Sequence, residues 1–242
     1  MARIVDEFAG PARQLSGWLI PLAVFAVTAA ISAVILVYYF APGPRQFSGN
    51  RPAPTDSSNL VMLSLGNTSF HVPSNYILFP TQRSGGTQEE LSLIALLPEL
   101  QGYTLSNAQE FNSNAPDSRV VNMVIRVARV TLTDTERFTR VYRPLLATPE
   151  GTETEFGATR YTFRAGSGYR DEELYVGQNE SGVTLIRCTR PTENVPSPSC
   201  IGDVALNGGL TVTYRFKRAY IEQWREIMSG VGALIGAFMV KA

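Results

Sequence analysis

The side chains able to do chemistry are few and scattered. There is one histidine, His71, in an alternating run just before Val72-Pro73, so any Ser-His-Asp relay would have to use it. No Gly-x-Ser-x-Gly elbow offers a nucleophile, and Gly166-Ser167-Gly168 is too short for that pattern and reads as a turn. Carboxylates gather at Glu89-Glu90, at Glu153 and Glu155, and at Asp171-Glu172-Glu173. Such pairs could serve glycoside hydrolysis or hold calcium. These, however, sit at element ends among Gly, Thr and Ser, where solvated acids are usual, and the EF-hand spacing is absent. Arg83-Ser84-Gly85-Gly86 does not continue into Gly-Lys-Ser/Thr and reads as a hairpin loop rather than a phosphate cradle. The residues therefore predict a protein that is not an enzyme, with no catalytic centre, no cofactor and no metal site.

Two cysteines remain, Cys188 and Cys200, on either side of the Pro-rich stretch TRPTENVPSPS. That stretch reads as a loop between two strands, and a disulfide closing it would add about 3 kcal/mol in the chain-entropy account, given an oxidising compartment. Pairing the two sulfurs also leaves a structural zinc site without ligands. The 21 basic and 21 acidic residues cancel, which argues against a dedicated nucleic-acid binder. Of the basic residues only Lys217 and Lys241 are lysines, a bias that correlates with GC-rich bacterial coding.

The element that must position everything else lies near the N-terminus. Residues 18–40 read WLIPLAVFAVTAAISAVILVYYF, with no charge and only Thr28 and Ser32 as polar interruptions. At about 1.5 Å per residue the run is roughly 34 Å long, enough to cross a bilayer. Trp18 at one end and Tyr38 with Tyr39 at the other are placed for the headgroup level. A cleaved signal peptide would have a shorter apolar region followed by small residues, whereas this one exits through Tyr-Tyr-Phe. Ala26 with Ala30, and Ala29 with Ala33, are spaced to let a second helix approach closely. Arg3 and Arg13 before the run are matched by Arg45 and Arg51 after it, so charge gives no orientation. The expected disulfide does. It places the C-terminal part in the periplasm and the N-terminus in the cytoplasm of a bacterial inner membrane.

Four regions follow: a cytoplasmic lead (1–17), a transmembrane helix (18–40), a Pro/Ser-rich linker (41–59) and an extracytoplasmic domain (60–242). The domain opens with two alternating runs around Gly66-Asn67, a hairpin signature. Further strands are predicted at 76–79, 91–97, 120–130, 158–164, 172–177, 183–188, 201–206 and 210–216, the last two joined by a tight turn at Asn207-Gly208-Gly209. Thr133-x-x-Glu136 is a capping box that starts a helix over 134–143, stopped by Pro144, with Phe138, Val141, Tyr142 and Leu145 as its buried stripe. A weaker box, Ser106-x-x-Gln109, suggests a short helical turn. A longer helix over 218–240 has an apolar stripe, and Gly232 and Gly236 with neighbouring small residues line a second face suited to close packing.

The fold class is α+β: a mostly antiparallel sheet with helices packed on one face and a C-terminal amphipathic helix. The expected function is a membrane-anchored periplasmic interaction module, an accessory or assembly subunit of an inner-membrane or envelope complex. Its expected partners are the lipid bilayer and another membrane or envelope protein. The alternative is a periplasmic ligand- or cell-wall-binding domain, which needs a concave pocket lined by arginines and tyrosines. An enzyme is third.

Overall fold

The computed structural model describes residues 17–40 (backbone alone for 38–40), 51–128, 132–179 and 182–240. Residues 1–16 of the predicted lead, the side chains of Tyr38 and Tyr39, and residues 41–50 of the predicted linker lie outside the described residues. The chain forms two compact units, 1–48 and 49–242. In the first, α1 (Leu19–Phe40) contains a stretch, Leu19–Val37, long and apolar enough to cross a membrane, and none of it is buried. A core helix in water would bury one face, whereas here Trp18 and all four alanines of the predicted packing pairs are exposed.

The second unit begins before the predicted domain start. Ala53 donates its N–H to Leu78 O at 3.1 Å, and Arg83 Nη2 donates to the carbonyls of Ile77 and Ala53. The last part of the Pro/Ser-rich segment thus runs along the domain. Strands β1 (Leu60–Leu65) and β2 (Thr68–Pro73) form the expected hairpin, with Gly66 at φ 55° making the tight turn. The predicted strand at 76–79 is instead a 3-10 turn, Ser74–Tyr76, after which Ile77 makes a single bridge to Leu93. The loop at Arg83 is not a hairpin loop either. β3 (Gly86–Gln88) runs parallel to β1, giving the order β2-β1-β3. Gly85 makes this possible, since a Cβ there would stand 2.5 Å from Met62 O.

The remaining strands are β4 (Glu90–Leu96), β5 (Val120–Val127), β6 (Thr152–Glu153), β7 (Ala158–Thr162), β8 (Glu172–Asn179), β9 (Gly182–Thr189), β10 (Ser199–Leu206) and β11 (Leu210–Lys217). They form one sheet in the order β4-β5-β11-β10-β9-β8-β7-β6, with every pairing antiparallel. Of the strand predicted over 120–130, residues 129 and 130 lie outside the described residues. Gln82 caps the β4 edge. Its amide donates to Glu90 O and accepts from Ser92 N–H, both at 3.0 Å, as a neighbouring strand would.

Helices cover both faces rather than one. α2 (Ala108–Phe111) is a single turn, and its lead-in is capped by Thr104 with Asn107, not by the predicted Ser106 box. α3 (Asp134–Arg137) starts at the predicted Thr133–Glu136 box, passes into a π-helical turn (Phe138–Tyr142), and ends in a 3-10 turn containing Pro144. Its side chains pack on Leu174 and Leu185. The alternate residues Tyr175 and Ile186 belong to the larger core on the opposite face. That core is closed by α4 (Trp224–Phe238), which a 3-10 segment, Arg218–Gln223, leads into. Trp224, Ile227, Val231, Ile235 and Phe238 form its buried stripe, three or four residues apart.

Of the predicted small-residue face, a Cβ at Gly232 would come only within 3.7 Å of Val204 Cγ1, and one at Gly236 would meet nothing within 4 Å. The close approach is at Gly230, where a Cβ would meet Leu100 Cδ1 at 3.1 Å.

Cys188 and Cys200 are joined by a disulfide between directly opposed positions of β9 and β10, fully buried, with Cα atoms 4.0 Å apart. The next residue in that cross-strand row is Glu173, which is buried. It pairs with Arg218, whose Nη2 also donates to Tyr175 Oη at 2.8 Å. This anchors the start of the C-terminal helical segment. Trp224 then donates Nε1–H to Phe156 O at 3.2 Å and lies on Gly177, where a Cβ would meet the indole at 2.4 Å. Trp224→Ala is therefore expected to cost about 3–5 kcal/mol, and Gly177→Ala to destabilise by forcing the indole aside. Urea denaturation followed by circular dichroism checks both; an unchanged midpoint for either variant contradicts this packing.

Candidate functional site

The large sheet is not continuous along its whole length. β9 and β10 pair only through Cys188–Cys200, Arg187–Ile201 and Ile186–Gly202. Beyond that β9 stays with β8 as far as Gly182, and β10 stays with β11 as far as Leu206. The strands part, and their facing backbone groups need other partners. Near the parting, Asp134 at the start of α3 lies close enough to the Leu185 N–H for that group to favour its carboxylate form. A polar cleft of about 220 Å³ opens at this point. Arg137 and Tyr142 line it from the helical side, Arg187 and Ile201 from the sheet, with Asp203 and Thr213 beside them.

The capping box sets the start of α3 so that Asp134 and Arg137 share one side of the turn. Arg137 Nη1 donates to Asp203 Oδ2 at 2.7 Å and lies 3.5 Å from Asp134. Thr213, opposite Asp203 in the β10–β11 register, donates its hydroxyl to Asp203 Oδ1 at 2.6 Å. Arg187 Nη1 donates to Glu172 Oε2 at 2.8 Å, and its guanidinium lies 5.0 Å from the Tyr169 ring and 6.0 Å from the Tyr142 ring.

Burial pushes the Asp134 carboxyl above its ordinary range, with the nearby Asp203 charge adding to this and Arg137 opposing it. Burial alone would lower the Arg137 pKa, but its hydrogen bond to Asp203 and the charges of Asp203 and Asp134 outweigh that and raise it. Burial also raises the Tyr142 phenol. On the other face of the sheet, the buried Tyr214 hydroxyl has no hydrogen-bond partner among the described residues and presses against Gly202, where a Cβ would stand 2.6 Å from it.

None of the residues singled out for chemistry in the sequence builds this cleft, except that Glu172 holds Arg187 from behind. His71 is exposed on β2 opposite Met62, at a shallow depression of about 310 Å³ that no carboxylate lines. Five of the seven acids in the clusters have side-chain partners: Glu90 pairs with Arg126, Glu153 with Thr159, Asp171 with Arg170, Glu172 with Arg187 and Glu173 with Arg218. Among the described residues no group of three His, Cys, Asp or Glu side chains could hold a metal. Tyr142 was legible as part of a buried stripe. Asp203 carried one signal, a lone carboxylate in an otherwise apolar strand sequence. Arg137 and Arg187 carried none.

The architecture defines a class: a disulfide-clipped α+β domain with one wide antiparallel sheet and a C-terminal helix, in a chain with an apolar N-terminal helix. No protein-family model and no curated protein matches the chain. Among solved structures, it is similar to an immunity protein of the Stenotrophomonas maltophilia type IV secretion system, with a TM-score of 0.56 at 15% identity. The match covers 76% of this chain and 95% of that one, and at this identity the likeness is one of fold.

Asp134 makes the cleft's contribution to stability depend on pH. Its folded pKa is raised above the ordinary 3.8, so below that value both folded and unfolded chains are protonated and it costs nothing. As pH climbs from there through the folded value, the unfolded chain has already lost its proton and the folded state loses stability. Asp134→Asn removes this dependence. The stability gap between parent and variant, from urea midpoints at a series of pH values, should change across that window and level off above it. A gap that is flat throughout contradicts the assignment.

Proposed function

We propose that this chain is a single-pass, membrane-anchored periplasmic interaction module, an accessory or assembly subunit of an envelope complex with no catalytic role of its own. The observation that carries the reading is the pairing of an unburied apolar helix, long enough to span a bilayer, with a separate folded domain closed by a disulfide. A bond between cysteines favours an oxidising compartment, and the span then leaves the N-terminus in the cytoplasm. The fold's likeness to a secretion-system immunity protein supports a domain whose work is to bind another protein. The arginine pairs of Glu90, Asp171, Glu172 and Glu173 support it further, since those carboxylates already serve structural pairs.

A second reading, a small-ligand-binding domain, is favoured by the arginine- and tyrosine-lined cleft. At about 220 Å³ that cleft is below the roughly 300–1,000 Å³ of ordinary small-molecule sites, which suits one inserted group better than a whole ligand.

Protease added to spheroplasts of a bacterial host is expected to digest the 60–242 domain and leave a short protected N-terminal fragment in the membrane fraction. Alkylation under denaturing conditions should modify neither cysteine until a reductant is added. Purification from mild detergent should return the chain with a protein partner in fixed ratio. A domain shielded from protease, free thiols at both positions, or recovery of a soluble chain lacking residues 18–40 contradicts the topology. A bare monomer contradicts the interaction role.

A further inference from the structure

The cleft where β9 and β10 part gathers hydrogen-bond donors that the protein does not use. Arg137 commits Nη1 to Asp203 and Asp134, and Arg187 commits Nη1 to Glu172. Their other guanidinium N–H groups, and the Tyr142 hydroxyl, have no acceptor among the described residues. The Tyr142 phenol is close enough to feel the charges of both arginines. The lining also carries the Asp203 carboxylate, held by Arg137 and Thr213, and positive charge continues beyond the lining. Arg187, Ile201 and Arg215 form one row across β9, β10 and β11, and the exposed Arg215 has no ion pair among the described residues.

Size and chemistry together select the occupant. The cleft is too small for a cofactor or sugar chain but large enough for one side chain, and it supplies donors from two guanidiniums and a hydroxyl. Planar donors on two walls match a carboxylate. The existing carboxylates hold the two arginines in place, so binding needs little further ordering. Ile201 and Leu185 offer an apolar surface for the methylenes of an acidic side chain.

We propose that this cleft is the docking point for the partner protein, which inserts an aspartate or glutamate side chain between Arg137 and Arg187. The assignment rests on the protein-interaction reading above and names its contact. The carboxylate accepts from both guanidiniums and from Tyr142 Oη, while Arg215 at the mouth attracts an acidic segment.

The test uses the full-length chain in detergent micelles, labelled with ¹⁵N at arginine. It is titrated separately with N-acetyl-glutamate methylamide, the matching glutamine compound and inorganic phosphate, reading the Nε–H resonances of Arg137 and Arg187. The glutamate compound should shift both saturably at millimolar concentration, with at least tenfold weaker response to glutamine. Arg187→Gln should abolish the response in a variant whose circular dichroism is unchanged, and Tyr142→Phe, which keeps the ring packing, should weaken it several-fold. Should Arg187→Gln not fold, the glutamate-to-glutamine ratio in the parent and the Tyr142→Phe result decide.

An equal response to glutamine, a stronger response to phosphate, or no saturable shift in the folded parent overturns the proposal. These probes need no partner and report nothing of the membrane. A negative titration therefore removes the cleft alone, whereas a failed protease or co-purification result removes the module and leaves the cleft's chemistry measured.

Discussion

The fold depends on covering one face of a wide antiparallel sheet with apolar side chains. Eight strands at about 4.8 Å apart make a sheet roughly 34 Å across, while the fifteen residues of α4 reach only about 22 Å. One helix cannot close that core. The small sheet β2-β1-β3 supplies the rest, contributing Val61, Leu63, Leu65, Phe70 and Val72 to the same cluster as the α4 stripe. The two layers meet where Met239, just past α4, bridges to Phe70 on the edge of β2. Trp224 over Gly177 and the Arg218–Glu173 pair fix the position at which the helix begins.

The opposite face is only partly covered, and this is where the surface chemistry lies. The segment led by α3 packs an aromatic cluster of Phe138, Tyr142, Tyr161, Phe163 and Tyr169 over β7, β8 and β9. It ends at β10, so Thr213, Asn122, Arg126 and Arg215 on the next strands face water wholly or in part. At the boundary the strands separate, and Asp134 lies near the Leu185 N–H while Arg137 ties the helix start to Asp203. A cleft of this kind follows from ending a helical cover where the sheet splits, because side chains must then do the work of missing strand hydrogen bonds.

The proposed membrane attachment and the proposed partner binding fall on separate units. The apolar helix has no face reserved for a soluble core, and its polar interruptions are slight: Thr28 returns its hydroxyl to Val24 O at 2.8 Å within the helix. The sheet domain carries its own core, disulfide and charge pairs. The likeness to the immunity protein, at 15% identity, is one of fold, and a shared fold does not carry a shared function.

Local signals were readable wherever the physics is local. Apolar period and length marked α1 and the stripe of α4, Gly66-Asn67 marked the first hairpin, and Thr133–Glu136 marked the start of α3. The alternation of Val121, Met123 and Ile125 also identified β5 as a strand with one buried face. The errors fell where a distant group decided the outcome. Gly85 looked like part of a hairpin loop because nothing nearby reveals that β3 will lie parallel to β1, and the close approach of Leu100 to Gly230 has no local signal either.

The candidate site is the extreme case. Its arginines, tyrosine and aspartate come from α3 with its π turn, β9 and β10, and are brought together only by strand order and by the place where two strands separate. The sequence by itself determined the apolar span, the α+β class and the cysteine pair, because burial periodicity and loop length act over a few residues. Only the tertiary structure decided which face the α3 segment covers and which charges meet in the cleft, because those depend on hydrogen-bond registers between residues far apart in the chain.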